Sequence, residues 1–260
     1  MTGAGRGIGA AAAAALATAG ASVAVLARST DEIAQVAARL RDVGHASSGV
    51  TCDVGDPAAV RVAVAQVERG RGPVDGLINN AGVVAPLGPT AEIDVQAWAA
   101  ALAINLTGAF ACIQAVLPRM RARRWGRSVN VSTEAATGTG LGHANAYSVS
   151  KAGLEMLTAN LAAELAGTGV TVNATAVRPG SSRVRCRPPC APNRPPASVT
   201  PSWPSSVDSK TRASCLMRAF QPTSAVRSKG RTQPPLDLPL RWKVYTYRHR
   251  HVAKIYMPTR

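Results

Sequence analysis

Of the four tyrosines in this 260-residue chain, Tyr147 alone has a lysine four positions on, Lys151. In a helix that spacing puts phenol and ammonium on one face. A neighbouring ammonium favours the phenolate, so the pair suits proton transfer to or from an alcohol or carbonyl. The second chemical pattern opens the chain: Thr2-Gly-Ala-Gly-Arg-Gly-Ile-Gly9, with Gly3, Gly5, Gly7 and Gly9 directly before an alanine-rich run. Glycines let backbone N–H groups approach a pyrophosphate, and a helix beginning there favours the anion. Arg6 lies in that turn and Arg28 ends the next apolar strand, where an acidic residue would hold the ribose 2′-hydroxyl of NAD. Two cations and no carboxylate at that strand end favour a 2′-phosphate, hence NADP over NAD.

The elements that must position these residues alternate. Ala10 to Ala19 reads as a helix closed by Gly20, and Ala21 to Ala27 as a buried strand. Asp31 to Val43 is a helix with Ile33, Val36, Ala37 and Leu40 on one face; Gly49 to Asp53 is strand-like and Pro57 to Arg69 helical. Val74 to Ile78 is a strand leading into Asn79-Asn-Ala-Gly82, and Val95 to Arg121 is a long helix kinked near Asn105 to Gly108. Ser128 to Ser132 is a strand, Tyr147 to Ala166 a helix, and Val170 to Ala176 a strand. Strands alternating with helices of ten to twenty residues mean an α/β fold with a doubly wound parallel sheet.

The ordered set of motifs resembles the short-chain dehydrogenase/reductase family over residues 1–180. It consists of the glycine turn from Thr2 to Gly9, Asp53, Asn79-Asn-Ala-Gly82, Asn105, Ser132, Tyr147-x-x-x-Lys151 and Pro179-Gly180. The resemblance implies a Rossmann-like nucleotide-binding domain and a ketoreductase or dehydrogenase reaction on a small carbonyl or secondary alcohol. Tyr147 is then proton donor or acceptor, and Lys151 lowers its pKa and binds the nicotinamide ribose. Asn105 holds a water for proton relay, and a hydroxyl after the fifth strand, Ser132 or Thr133, orients the carbonyl. On the cofactor side it implies Gly3, Arg6, Gly7, Ile8, Gly9, Arg28, Asp53, Val54, Asn79, Ala81, Gly82, Pro179 and Gly180. It also implies dimers or tetramers through the helices carrying Asn105 and Tyr147; the contact that completes a tetramer falls in the altered end, so a homodimer is the expectation.

Three departures qualify the resemblance. Glu134, not a serine, stands thirteen residues before Tyr147, so one inserted residue is needed to align the hydroxyl. The first strand is truncated, with Met1 where a valine is expected, as a start called on an internal GTG would produce. After Gly180 the composition changes: residues 1–180 carry 14 basic and 12 acidic side chains, residues 181–260 carry 16 and 2. Pro, Arg and Ser dominate that end, with one short strand expected at Trp242 to Tyr247, and it reads as a basic irregular tail of the kind a shifted reading frame produces. Two alternatives to the enzyme reading stay open: a catalytically impaired family member, and a binding protein whose basic tail contacts nucleic acid or anionic surfaces. Five scattered cysteines argue against a secreted disulfide framework, no metal site is expected, and a cytoplasmic chain without a targeting or membrane segment is.

Overall fold

The computed structural model describes residues 1–136 and 141–176, and the backbone of Tyr247–Arg248 and His251–Val252. Helix α1 spans Gly7–Thr18 and strand β1 Val23–Ala27. Gly20, at φ 90°, closes α1, its N–H donating to Ala17 O and that of Ala21 to Leu16 O. Helix α2, Thr30–Asp42, starts on Ser29, whose hydroxyl accepts the Glu32 N–H, and buries the four residues its periodicity marks, Ile33, Val36, Ala37 and Leu40. Strand β2 is Ser47–Thr51; helix α3, Pro57–Arg71, is capped by Asp56 and has proline in its first turn. Strand β3 (Gly76–Asn79) precedes α4 (Val95–Leu102), a π turn (Ala103–Thr107) and α5 (Gly108–Ala122). Strand β4 (Gly126–Ser132), helix α6 (Asn145–Glu164) and strand β5 (Val170–Ala176) follow.

All pairings among β1 to β5 are parallel, β1 with β2 and β3 with β4 with β5. Between the two groups, where a central strand belongs, lie only Met1 and Thr2. The Met1 amine donates to Ala24 O at 2.8 Å, Leu26 N donates to Met1 O at 2.9 Å, and Thr2 N donates to Ile78 O at 3.0 Å. The hydrogen bonds of Met1 and Thr2 join the two groups, and the Met1 side chain packs into apolar clusters on both sides. All seven residues of β4 are buried, as both faces of a doubly wound sheet require.

The run Val95–Ala122 is long and apolar enough to cross a membrane, with mean hydropathy 1.8 over its most apolar window, and in this fold it is a partly buried helix with the π turn at its middle. Ala109, Cys112, Ile113, Val116 and Met120 of α5 are buried in the core. Near the chain end Tyr247–Arg248 and His251–Val252 pair antiparallel, later than the strand expected at Trp242 to Tyr247. Otherwise the tail, with Pro179, Gly180, Cys186, Cys190 and Cys215, lies outside the described residues.

Candidate active site

The site forms at the carboxyl ends of the strands, around the point where chain order reverses at Met1–Thr2. Thr2 Oγ1 accepts from Asn80 N at 3.1 Å and Ala81 N at 3.2 Å, while Asn80 Nδ2 donates to Thr2 O at 3.2 Å and Gly3 O at 3.0 Å. The glycine turn is thus stitched to the segment after β3. The close fit needs glycine: a Cβ on Gly3 would lie 2.7 Å from Ala81 Cα, and one on Gly9 would strike the Gly3 carbonyl and Asn80 Nδ2. Gly7 differs. It has φ 57° and open space where a Cβ would sit, and it is the first residue of α1. No side chain caps that helix start and no acidic residue occupies its first turn. Exposed helix N–H groups with no competing carboxylate suit a dinucleotide pyrophosphate, with Ile8 half-buried behind them.

Asp53 and Val54 follow β2. Asp53 is exposed and its Oδ1 accepts from Gly55 N at 2.9 Å; Val54 is buried. Asn79 is buried below the cleft, with Nδ2 donating to Asn130 Oδ1 at 2.9 Å and Ala109 O at 3.3 Å. Asn130 Nδ2 donates to Thr158 Oγ1 at 2.8 Å, which ties β3 and β4 to α6. Asn79 thus links β3 to β4 and α5, while Ala81 and Gly82 lie nearer the surface.

On the chemical side, Lys151 is buried and its Nζ donates to Val131 O at 2.7 Å. The ammonium lies 5.9 Å from the centroid of the Tyr147 ring. Burial lowers the Lys151 pKa from 10.5 to about 8, which leaves it charged at neutral pH. Asn105, in the π turn, accepts from Val83 N and donates to Val83 O, both at 2.8 Å, and donates to Ser150 Oγ at 3.0 Å. A Cβ on Gly82 would lie 3.2 Å from Asn105 Oδ1 and 3.6 Å from Lys151 Nζ, so Gly82 brings the two polar groups to one point.

The two hydroxyls left open by the sequence part company here. Ser132 is buried, and its Oγ donates to Glu155 Oε1 at 2.6 Å, one turn past Lys151 on α6. Thr133 is half-buried, with Oγ1 accepting from Ala135 N at 3.4 Å. A groove of about 390 Å³ is lined by Gly88, Pro89 and Thr90 on one side and by Leu141, His143, Asn145 and Ser148 at the start of α6 on the other, and Gly88 N donates to His143 O at 2.9 Å.

Arg6 and Arg28 are exposed, and the surroundings of Arg6 are not free of carboxylate. Glu32 Oε1 stands 3.8 Å from Arg6 Nε. Sequence spacing concealed this, because Glu32 belongs to α2 and meets the turn only through the fold. Thr2 and Asn80 stand in the Thr-Gly and Asn-Asn motifs that the sequence marks, whereas nothing local marks Glu155. Among the described residues no three His, Cys, Asp or Glu side chains form a metal-binding group.

A parallel doubly wound sheet, a glycine turn at its switch point and a Tyr–Lys pair on the helix after β4 define a Rossmann-type α/β fold. The family model described as short chain dehydrogenase matches residues 1–187, and the chain belongs to that family. A D-threitol dehydrogenase of Mycolicibacterium smegmatis is 43% identical over 151 residues, which are 58% of this chain and 57% of that protein. A crystal structure of an actinorhodin polyketide ketoreductase variant with NADPH is 40% identical, with TM-score 0.65 and 67% of each chain covered. A NAD⁺-bound xylitol dehydrogenase is 35% identical, also with TM-score 0.65 and 67% of each chain covered. The chain spans about half the length of the curated relatives it matches.

Proposed function

We propose that the chain is an NADP-preferring oxidoreductase that interconverts a small ketone and a secondary alcohol. The observation that carries the reading is the buried Lys151 ammonium, held by Val131 O, beside the Tyr147 ring. The glycine turn, Val54, Gly82 and Lys151 would hold a nicotinamide dinucleotide, which when bound would supply or accept the hydride. The chain's own residues manage the proton. Tyr147 gives its hydroxyl proton to the carbonyl oxygen on reduction and takes it back on oxidation. Lys151 stabilises the phenolate that this leaves. Thr133 Oγ1 orients the carbonyl, because the Ser132 hydroxyl is committed to Glu155. Asn105 fixes Val83 and Ser150 and holds the water through which the Tyr147 proton is replaced. Arg6 and Arg28 supply the charge that favours a 2′-phosphate. Pro179 and Gly180, beyond β5, complete the nicotinamide side on the strength of the motif alone.

The groove beside His143 takes the substrate, and its size suits a small carbonyl compound. Residues 1–180 form the catalytic domain and residues 181–260 a basic appendage. The protein works in the cytoplasm, where buried thiols such as Cys52 and Cys112 stay reduced, and it pairs as a homodimer. The decisive experiment is NADPH titration by fluorescence, with turnover on a panel of ketones by wild type and Tyr147→Phe. Expected are saturable NADPH binding by both and a turnover at least ~100-fold lower in Tyr147→Phe. Wild-type chain that binds no dinucleotide sinks the proposal.

A further inference from the structure

Glu32 occupies the third position of α2, where its N–H donates to Ser29 Oγ at 3.3 Å. Its carboxylate turns toward the glycine turn. Oε1 lies 3.8 Å from Arg6 Nε, and a Cβ on Gly5 would lie 2.9 Å from both Glu32 Cβ and Oε2. The missing side chain of Gly5 is what admits the carboxylate. The pair is open to solvent, with 54% of the Arg6 and 43% of the Glu32 side chain exposed. One of the two guanidinium groups offered to a 2′-phosphate therefore already has an anion beside it.

We infer that Glu32 sets how strictly this chain discriminates between the two nicotinamide dinucleotides. The inference deepens the proposed function and rests on it. A carboxylate next to Arg6 offsets part of its charge and repels a phosphate dianion. The same carboxylate accepts hydrogen bonds from a ribose diol, which only the dinucleotide without the 2′-phosphate retains intact. Arg28 attracts the phosphate and Glu32 opposes it, so the wild-type chain binds both NADPH and NADH with a modest preference for the former.

The test is fluorescence titration of NADPH and NADH into wild type, Glu32→Gln, Arg6→Leu and the double variant, at low salt and at about 0.5 M salt. Glutamine keeps the helix start and the volume and removes only the charge. The NADPH-to-NADH affinity ratio is expected to rise about five-fold in Glu32→Gln, the scale of an exposed ion pair. In the Arg6→Leu background the rise is expected to be smaller, and at high salt it shrinks with screening. An unchanged or lower ratio in Glu32→Gln, or a rise that high salt leaves undiminished, overturns the inference while leaving the proposed function standing. Failure of wild type to bind either dinucleotide overturns both.

Discussion

Ser132 and Thr133 end the same strand, one residue apart, and their surroundings assign them different work. The Ser132 hydroxyl meets a buried carboxylate at 2.6 Å, so removing it strands Glu155 Oε1. Ser132→Ala is therefore expected to lower stability by about 1–3 kcal/mol in a denaturant melt, with turnover within a few-fold of wild type. Thr133→Ala is expected to do the reverse, lowering kcat roughly 10- to 100-fold with little change in melting. The opposite pattern in steady-state kinetics would return the role to Ser132. Lys151 carries a pH signature. Its folded pKa of about 8 lies below the ordinary 10.5, so folding disfavours the charged form. The penalty is full below pH 8 and fades as pH rises toward 10.5, amounting to about 3 kcal/mol in all. Relative to Lys151→Met, wild-type stability should rise across that window, as parallel melts at pH 7 and pH 10 would register. The Tyr–Lys pair was legible because i and i+4 on a helix are neighbours by geometry. The Ser132–Thr133 choice was not, since it depends on Glu155, 23 residues on in α6, and the Glu32 carboxylate was hidden for the same reason.

The helices and strands were legible because periodicity and glycine punctuation agree locally; α2 buries the face its sequence marks. The long helix from Val95 is interrupted where its sequence marks it, near Asn105 to Gly108, and the interruption is the π turn between α4 and α5. The extra residue per turn puts Asn105 where its amide meets both backbone groups of Val83, a partner that composition cannot reveal. Just after the π turn, Gly108 brings α5 so close to the chain after β2 that a Cβ would lie 2.5 Å from Val54 O. Gly108→Ala gains helix propensity of about 1 kcal/mol, yet the collision with a backbone carbonyl outweighs it. The expected result is a net loss of about 1–3 kcal/mol by denaturant titration. A weaker dinucleotide affinity should accompany it, because Val54 must shift. A gain in stability would show that α5 moves aside freely.

At the scale of the whole molecule, sheet continuity rests on Met1 and Thr2, whose hydrogen bonds to Ala24, Leu26 and Ile78 connect β1 to β3. This joint also carries the glycine turn, so the cofactor side and the Tyr–Lys side are held in register by few groups, with Thr2 and Asn80 the main ones. The other side of the site leans on α6, and α6 leaves apolar surface outward: Val149 and Met156, two and nine residues beyond Tyr147, are exposed, as is Phe110 near the start of α5. Both helices pack against the π turn that carries Asn105. Side chains at positions 149, 152 and 156 share one helix face, and such an exposed apolar stripe calls for a partner. A second copy of the same helices provides one, since a two-fold contact needs only a self-complementary patch. Met156→Glu places a charge in that stripe without touching Tyr147 or Lys151. Sedimentation velocity should then show wild type at twice the chain mass and Met156→Glu at the mass of one chain, with NADPH binding retained. A wild-type mass of one chain, or of four, refutes the dimer. Loss of NADPH binding on dissociation would add that pairing of α6 is what holds the Tyr147–Lys151 face in shape.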